Sequence, residues 1–199
     1  MPHSDVLTFA ILGTLERSPL HGYQIRKRLG SDLGPFRALS YGSLYPALKR
    51  MVASGLIATD VGDASAKVSR RSKIAYALTD AGRERLREEL ASAGASSWED
   101  GTFDVRFSMF DQTDPATRLR ILEGRRTRLA ERMEEAGNAL RRVRDRHDAY
   151  TAELQRHGLE TVEREVEWLD RLIEEERSAL GGTDTTSATA DNKLRGNNG

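Results

Sequence analysis

The stretch Ser40–Met51, SYGSLYPALKRM, combines the spacing of a buried helical face with a proline. Leu44, Leu48 and Met51 recur at i, i+4 and i+7, the spacing that places side chains on one face of a helix. Pro46 lies between the first two of them. The order of residues therefore raises the question of where this helix begins.

Helix starts tolerate proline, because the first four N–H groups of a helix have no intrahelical partner. With Ser43 as the N-cap, Pro46 is the third helical residue and its missing N–H removes no hydrogen bond. The sequence thus predicts a helix from Leu44 to about Ala53, ended by Gly55.

The exposed face of this predicted helix carries Tyr45, Pro46, Lys49 and Arg50. Cations at such positions contact phosphates or guanine edges, and hydroxyl groups contact phosphates. The face is therefore typical of a helix that reads the major groove of DNA. The alternative is a solvated face on which Tyr45 is packed.

The flanking segments predict a mainly α fold with a small β-hairpin, in the order of a winged helix-turn-helix. One helix, capped by Ser4, precedes Pro19, and a second spans roughly residues 22–29. Alternating apolar residues predict strands near residues 57–61 and 74–78, and Thr79 caps a fourth helix. The predicted hairpin loop contains a cluster of cations, which are Lys67, Arg70, Arg71 and Lys73.

A heptad-like seam predicts a long helix from Pro115 to about Arg156. Its positions are spaced alternately three and four apart, and they are 119, 122, 126, 129, 133, 136, 140, 143, 147, 150 and 154. Arg126 and His147 interrupt the seam, and they either fix its register or lie at its edge. His157 and Gly158 are expected to break the helix before a shorter second one, giving an antiparallel hairpin. We expect the apolar residues of so long a seam to be buried against a second copy of the chain.

The predicted organisation has four parts, which are a winged helix-turn-helix domain at 1–91, a connecting segment with an aromatic cluster at 92–114, a helical dimerisation domain at 115–180 and a disordered tail at 181–199. The tail has one large apolar residue, Leu194, too little to offset the entropy of ordering it.

Composition excludes several classes of function. The 199 residues include no cysteine, which rules out disulfides and thiolate chemistry, and no apolar run is long enough for a membrane span. Net charge is zero, but residues 1–90 hold 14 Lys and Arg against 9 Asp and Glu, whereas residues 91–199 hold 17 against 22. A basic amino-terminal half favours a polyanionic partner. We expect a cytoplasmic protein without cofactor, metal or membrane contact.

Three motifs also resemble the PadR family of bacterial transcriptional regulators. They are ILGTLERSPLHGYQIRKRL, LSYGSLYPALKRMVASGLI and YALTDAGRERL, and together they cover roughly residues 7–90. The resemblance implies a homodimeric winged-helix repressor of a palindromic, inverted-repeat operator, which dimerises through its carboxy-terminal helices. Whether a small-molecule effector releases it stays open.

Site residues follow from the motifs and the pattern together. The expected DNA-binding residues are His21, Tyr23, Gln24, Tyr41, Gly42, Ser43, Tyr45, Pro46, Lys49, Arg50 and the four loop cations. The expected dimerisation residues are Phe107, Phe110, Leu119, Leu122, Leu129, Met133, Leu140, Val143, Val166, Leu169 and Ile173. Trp98 and Trp168 either line an effector pocket or pack within a core or interface.

Two other functions compete with the regulator. One is an adaptor whose winged domain binds protein and whose helices scaffold a complex, and it predicts no salt-dependent DNA binding. The other is an enzyme, which is disfavoured because no phosphate-binding glycine motif, GxSxG or HExxH is present.

Overall fold

The computed structural model describes residues 3–33, 41–60, 74–144 and 149–194, and within these ranges it does not describe the side chains at positions 3, 4, 41, 60, 139–144 and 182–194. The chain divides into two units, Met1–Ser92 with Glu99–Thr113, and Ala93–Trp98 with Asp114–Gly199. The predicted fold class, mainly helical with a small antiparallel sheet, is confirmed.

The first unit contains five α-helices and three short strands among its described residues. In chain order these are α1 (His3–Leu15), β1 (Leu20–His21), α2 (Gly22–Asp32), α3 (Tyr41–Ala53), β2 (Ile57–Asp60), β3 (Ala75–Leu78), α4 (Asp80–Ala91) and α5 (Asp100–Phe107).

The sheet has the strand order β1-β3-β2, with both pairs antiparallel. Ile57 pairs with Leu78 and Thr59 with Tyr76, so the two predicted strands form the predicted hairpin. Sequence reasoning missed β1, because two residues are too few to show a period. The loop between β2 and β3 lies outside the described residues.

The core of the first unit is centred on α1, whose Ala10, Ile11 and Leu12 have no exposed surface. A helix that is apolar on all sides is a central helix. The other elements bury one face each against it, and the larger of their core side chains are Ile25, Leu29, Leu44, Leu48, Met51, Ile57, Leu78, Leu86, Val105 and Met109.

Residues 99–113, within the predicted connecting segment, pack into the first unit through α5. Arg106 of α5 is 2% exposed and forms an ion pair with Glu89 of α4 at 3.1 Å. Its guanidinium also donates to the Glu89 and Ser92 carbonyls and lies 5.0 Å from the ring centroid of Phe9. Burial lowers the pKa of Arg106, and Glu89 opposes that change. An arginine with this many partners is fixed in place, so α5 is anchored to α1 and α4.

The second unit is an antiparallel pair of long helices, α6 (Pro115–Arg144) and α7 (Ala149–Leu194). Asp114 caps α6 by accepting from the Thr117 N–H at 2.9 Å. Ion pairs cross between the helices from Arg118 to Glu176 and from Arg125 to Glu165. The residue that lies further along α6 pairs with the residue that lies earlier along α7, so the two helices run in opposite directions.

Two predicted boundaries in this unit are wrong. α6 ends at Arg144, and α7 continues through His157 and Gly158, where a break was expected. A glycine inside a helix costs only about 1 kcal/mol relative to alanine, which packing against α6 offsets. The tail expected to be disordered from 181 is helical as far as Leu194, since no proline interrupts an established helix there and adding a residue to its end costs little.

Candidate nucleic-acid interface

The start of α3 differs from the prediction. The helix begins at Tyr41 rather than at Leu44, so Pro46 lies inside it and not in its first turn. The proline removes the hydrogen bond that its N–H would donate to the Gly42 carbonyl, and this carbonyl is left without a helical donor. The end of the helix is as predicted, because Gly55 has φ of 73° and the Leu56 N–H donates to the Met51 carbonyl.

The two faces of α3 separate as the sequence predicts. Leu44, Ala47, Leu48 and Met51 are buried in the core of the first unit. The exposed residues on the other side are Gly42, Tyr45, Pro46, Lys49 and Arg50, and Ser43 is half-buried. This exposed face joins a flat ring to two cations, a combination that contacts both bases and phosphates.

The start of α2 is organised by the predicted residues His21, Tyr23 and Gln24. His21 is the N-cap residue, and its backbone N–H donates to Gln24 Oε1 at 2.8 Å. The rings of His21 and Tyr23 stack with their centroids 6.0 Å apart, and Tyr23 is 57% exposed. The helix start thus presents an exposed aromatic ring beside the backbone N–H groups of its first turn, and such a helix start favours anions such as phosphate.

Gly22 brings this helix start against α3. A Cβ on Gly22 would lie 3.1 Å from Cε1 of Tyr45, so the tyrosine ring occupies the space that a side chain would need. Tyr45 remains 52% exposed. The starts of α2 and α3 therefore form one continuous surface.

Tyr76 of β3 is half-buried against the core of the first unit, close enough to Tyr45 to interact with it, and was not predicted as a site residue. Burial raises the pKa of Tyr76, and the nearby Tyr45 raises it further. Its hydroxyl accordingly stays protonated at neutral pH. In the sequence this tyrosine shows only as one member of an alternating strand, which explains why no motif pointed to it.

The predicted loop cations Lys67, Arg70, Arg71 and Lys73 lie outside the described residues, and so does the side chain of Tyr41. Arg26, Lys27 and Arg28 on α2 are exposed as well.

Several predicted dimerisation residues are buried within one chain. Leu122, Leu129, Leu169 and Ile173 pack between α6 and α7, and a partner reaches them only if these helices separate. Leu119, Met133 and Val166 are half-buried, whereas the side chains of Leu140 and Val143 are outside the description.

Other predicted seam and aromatic residues have different surroundings. Phe107 and Phe110 contact each other in the first unit, with ring centroids 4.9 Å apart. Arg126 is at the exposed edge of the helix pair and binds Asp170 at 2.7 Å. Among the described side chains of α7, the large apolar ones that are most exposed are Tyr150 at 90% and Leu154 at 67%.

The tryptophans proposed for an effector pocket do not line the large cavity of the first unit. Trp98 packs on Gly124, where an added Cβ would lie 2.3 Å from its ring, and its carbonyl accepts from Arg125. Trp168 is half-buried in α7. The cavity, of about 1000 Å³, is instead bounded by α1, α2 and residues 107–112.

Two absences within the described ranges bear on other functions. No group of three or more His, Cys, Asp or Glu residues in these ranges could hold a metal ion. No helix in the same ranges is long and apolar enough to cross a membrane.

A three-helix unit with an exposed third helix, followed by a β-hairpin and another helix, is a winged helix-turn-helix domain, a class that binds DNA. Residues 11–88 match the sequence model of the family described as "Transcriptional regulator PadR-like family". The resemblance inferred from the three motifs is confirmed, because residues 11–88 are similar to the PadR-like family of transcriptional regulators.

Proteins similar to this chain include a curated relative and two solved structures. The Negative transcriptional regulator PadR of Bacillus subtilis (strain 168) is 33% identical over 85 residues, which cover 43% of this chain and 45% of the relative. The alignment therefore spans less than half of that protein. Crystal structures of Bacillus subtilis PadR with operator DNA and with p-coumaric acid are each 21% identical, cover 86% of this chain and 99% of theirs, and have TM-scores of 0.40 and 0.39.

Proposed function

We propose that this protein is a sequence-specific DNA-binding repressor, which binds an inverted-repeat operator as a homodimer. The observation that carries the proposal is the exposed face of α3, with Tyr45, Pro46, Lys49 and Arg50 directed away from the core of a PadR-like domain. The name of the curated relative, a negative transcriptional regulator, supports repression rather than activation.

Each subunit inserts α3 into the major groove. Tyr45, Pro46 and Lys49 are placed near base edges, and Arg50, Ser43 and Tyr41 near phosphates. The start of α2, with His21, Tyr23 and Gln24, faces the adjacent backbone, where its N–H groups favour phosphate. The loop cations, which lie outside the described residues, hold further phosphates.

The second unit supplies the dimer contact. Because its inner seam is already occupied within one chain, the partner binds exposed apolar residues, and Tyr150 and Leu154 of α7 are the largest of these. A dimer places two copies of α3 in successive major grooves, which requires a separation of about 34 Å.

Release by a small molecule is part of the proposal. Bacillus subtilis PadR has been crystallised both with operator DNA and with p-coumaric acid. In this chain, the cavity of the first unit is large enough to bind a small molecule.

The test is selection of bound sequences from a random duplex pool, repeated at two salt concentrations. Enrichment of an inverted repeat with half-sites about one helical turn apart supports the dimeric repressor. Weak retention without enrichment contradicts it and favours the protein-binding adaptor.

Two substitutions then test the face of α3 on the selected duplex. Arg50→Ala should weaken binding to all sequences and lower the salt slope by about one unit, as for one lost phosphate contact. Lys49→Ala should instead relax preference at one position of each half-site. Arg87→Ala removes an exposed cation from α4, which is not part of this face, and should leave both quantities unchanged.

A further inference from the structure

The buried face of the β2–β3 hairpin opens to solvent at one cross-strand pair. Ile57 pairs with Leu78, and both side chains are buried in the core of the first unit. The next pair on the same face is Thr59 with Tyr76, because side chains two residues apart on a strand point to the same side. Thr59 is exposed and Tyr76 is half-buried. The core therefore ends at this pair, and Tyr76 lies at its edge.

The ring and the hydroxyl of Tyr76 have different surroundings. The ring packs against the core of the first unit. No described residue forms a hydrogen bond with the hydroxyl, and its oxygen is not among the buried polar atoms that lack a partner. The oxygen therefore reaches the protein surface, while the ring below it is held by the core.

Tyr76 lies beside the starts of both helices of the candidate nucleic-acid interface. Its strand, β3, is the central one of the sheet, and Tyr76 pairs with Leu20 of β1 on one side and with Thr59 of β2 on the other. Leu20 is followed directly by His21, the N-cap residue of α2. Tyr45 of α3 is close enough to Tyr76 to raise its pKa. The unpaired hydroxyl is thus placed next to the surface that α2 and α3 form.

The hydroxyl of Tyr76 is a neutral hydrogen-bond donor. Burial raises the pKa of Tyr76 above its ordinary value of 10.0, and Tyr45 raises it further, so the group keeps its proton at neutral pH. An unpaired O–H group gains most from an anionic acceptor, because hydrogen bonds to charged groups are stronger than neutral ones. Phosphate oxygens are the anionic acceptors that a DNA-binding surface meets, and tyrosine hydroxyls are among their common partners.

We propose that Tyr76 is a further DNA-binding residue, whose hydroxyl donates to a backbone phosphate beside the base contact of Tyr45. The inference rests on the proposed function. The ring of Tyr76 is held by the core and that of Tyr45 by Gly22, so the two hydroxyls have fixed places before DNA is bound. A phosphate contact at this place fixes the register of α3 on the duplex, as phosphate contacts generally do.

The first experiment removes the hydroxyl and keeps the ring, with Tyr76→Phe in the full-length protein. The free energy of unfolding should stay unchanged, because no described residue loses a hydrogen bond. Affinity for the selected operator, measured by fluorescence anisotropy, should fall about tenfold for each subunit. The salt slope should stay the same, since a neutral donor releases no counterion, whereas Arg50→Ala lowers it. Thr127→Val removes a hydroxyl from α6 and should bind DNA like the parent protein.

The second experiment locates the phosphate. Operator duplexes carry a neutral methylphosphonate at one phosphate at a time, and each is titrated with the parent protein and with Tyr76→Phe. At one phosphate of each half-site the difference between the two proteins should vanish, because the anionic acceptor is gone. At the other phosphates the difference should persist. A difference that persists at every phosphate, or a loss of stability in Tyr76→Phe, assigns a structural role to the hydroxyl and overturns the contact.

A duplex of random sequence separates this contact from the proposed function. A phosphate contact does not depend on sequence, so Tyr76→Phe should weaken binding to the random duplex as well. If no operator is selected but this loss is found, the sequence-specific function fails and the contact stands. If an operator is selected and Tyr76→Phe binds it like the parent, the contact fails and the function stands. Absence of binding to either duplex overturns both.

Discussion

The ring of Tyr45 lies over the backbone of Gly22, so that a Cβ added to the glycine would be 3.1 Å from Cε1 of the tyrosine. This contact joins the start of α2 to the exposed face of α3. It also fixes one side of a ring that is half exposed, which holds the tyrosine in one position before any DNA is bound. Preorganisation of this kind lowers the entropic cost of binding.

Gly22→Ala should weaken operator binding with little loss of stability. The added methyl group pushes the tyrosine ring by a few tenths of an ångström, and an exposed ring can move at small cost. We expect a change in the free energy of unfolding below about 1 kcal/mol, with a clear loss of affinity in fluorescence anisotropy. Tyr45→Ala should remove the effect of Gly22→Ala, and equal losses in both backgrounds would show that the contact is irrelevant to binding.

Gly158→Ala should stabilise the protein by about 1 kcal/mol. The glycine is exposed inside α7, and a Cβ there meets nothing within 4 Å. Denaturant unfolding measures the gain. Gly94→Ala, also in open space but outside the α-helices, is the matched control and reports the gain that alanine gives through the unfolded chain alone. A loss of stability at position 158 would instead favour the helix break that the sequence suggested.

Gly124→Ala should destabilise the second unit by about 1–3 kcal/mol, as overpacking does. Its Cβ would lie 2.3 Å from the Trp98 ring, too close for either group to stay in place. The measurement is a double-mutant cycle with Trp98→Leu, which makes room. We expect Gly124→Ala to cost much less when it is combined with Trp98→Leu, since residues in contact are not additive. Additive effects would mean that the two residues do not meet.

Lowering the pH should destabilise the first turn of α6, because Asp114, which caps it, becomes protonated. Hydrogen bonds from Thr117 lower the pKa of this carboxyl below its ordinary 3.8, so the ionised form stabilises the folded state. That contribution is complete above the ordinary pKa and is lost as the pH falls through the lower, folded value. Asp114→Asn keeps a capping oxygen without the charge, and Asp114→Ala removes the cap at a cost of about 1 kcal/mol.

The pH dependence of unfolding separates the contribution of the Asp114 charge from that of its capping oxygen. The difference between the parent protein and Asp114→Asn should be constant from about pH 5 to 7 and vanish in stronger acid, as the linkage requires. The difference from Asp114→Ala should shrink over the same range of stronger acid. A difference from the asparagine variant that persists in strong acid would rule out the carboxylate charge as its cause.

Leu154→Glu should give folded monomers. Leu154 is 67% exposed in one chain, so the substitution changes little intramolecular packing and acts mainly on the partner. Leu129→Glu is the contrasting variant, because Leu129 is buried between α6 and α7 and a charge there should unfold the pair. Light scattering gives the mass and circular dichroism the helix content. A dimeric Leu154→Glu protein would move the interface elsewhere.

Much of the fold could be predicted because it depends on short periods. The buried face of α3, the two strands of the hairpin and the cap at Asp114 all follow from residues close in sequence. Their partners are nearly determined by local spacing and turn chemistry. The helix boundaries at Tyr41 and Arg144 could not be predicted in this way, since packing compensates for a proline or a glycine inside a helix.

The sequence by itself determined that α3 has one apolar face and one face with two cations, and that the carboxy-terminal half carries an apolar seam. Only the tertiary structure decided what covers each face. An apolar seam implies that side chains such as Leu122 and Leu169 are buried, but it does not say against what. A helix of the same chain and a helix of a partner satisfy the requirement equally well. Likewise, Gly22 and Tyr45, Arg106 and Phe9, and the residues of the cavity are far apart along the chain, and no local spacing encodes contacts that arise only when separate helices pack.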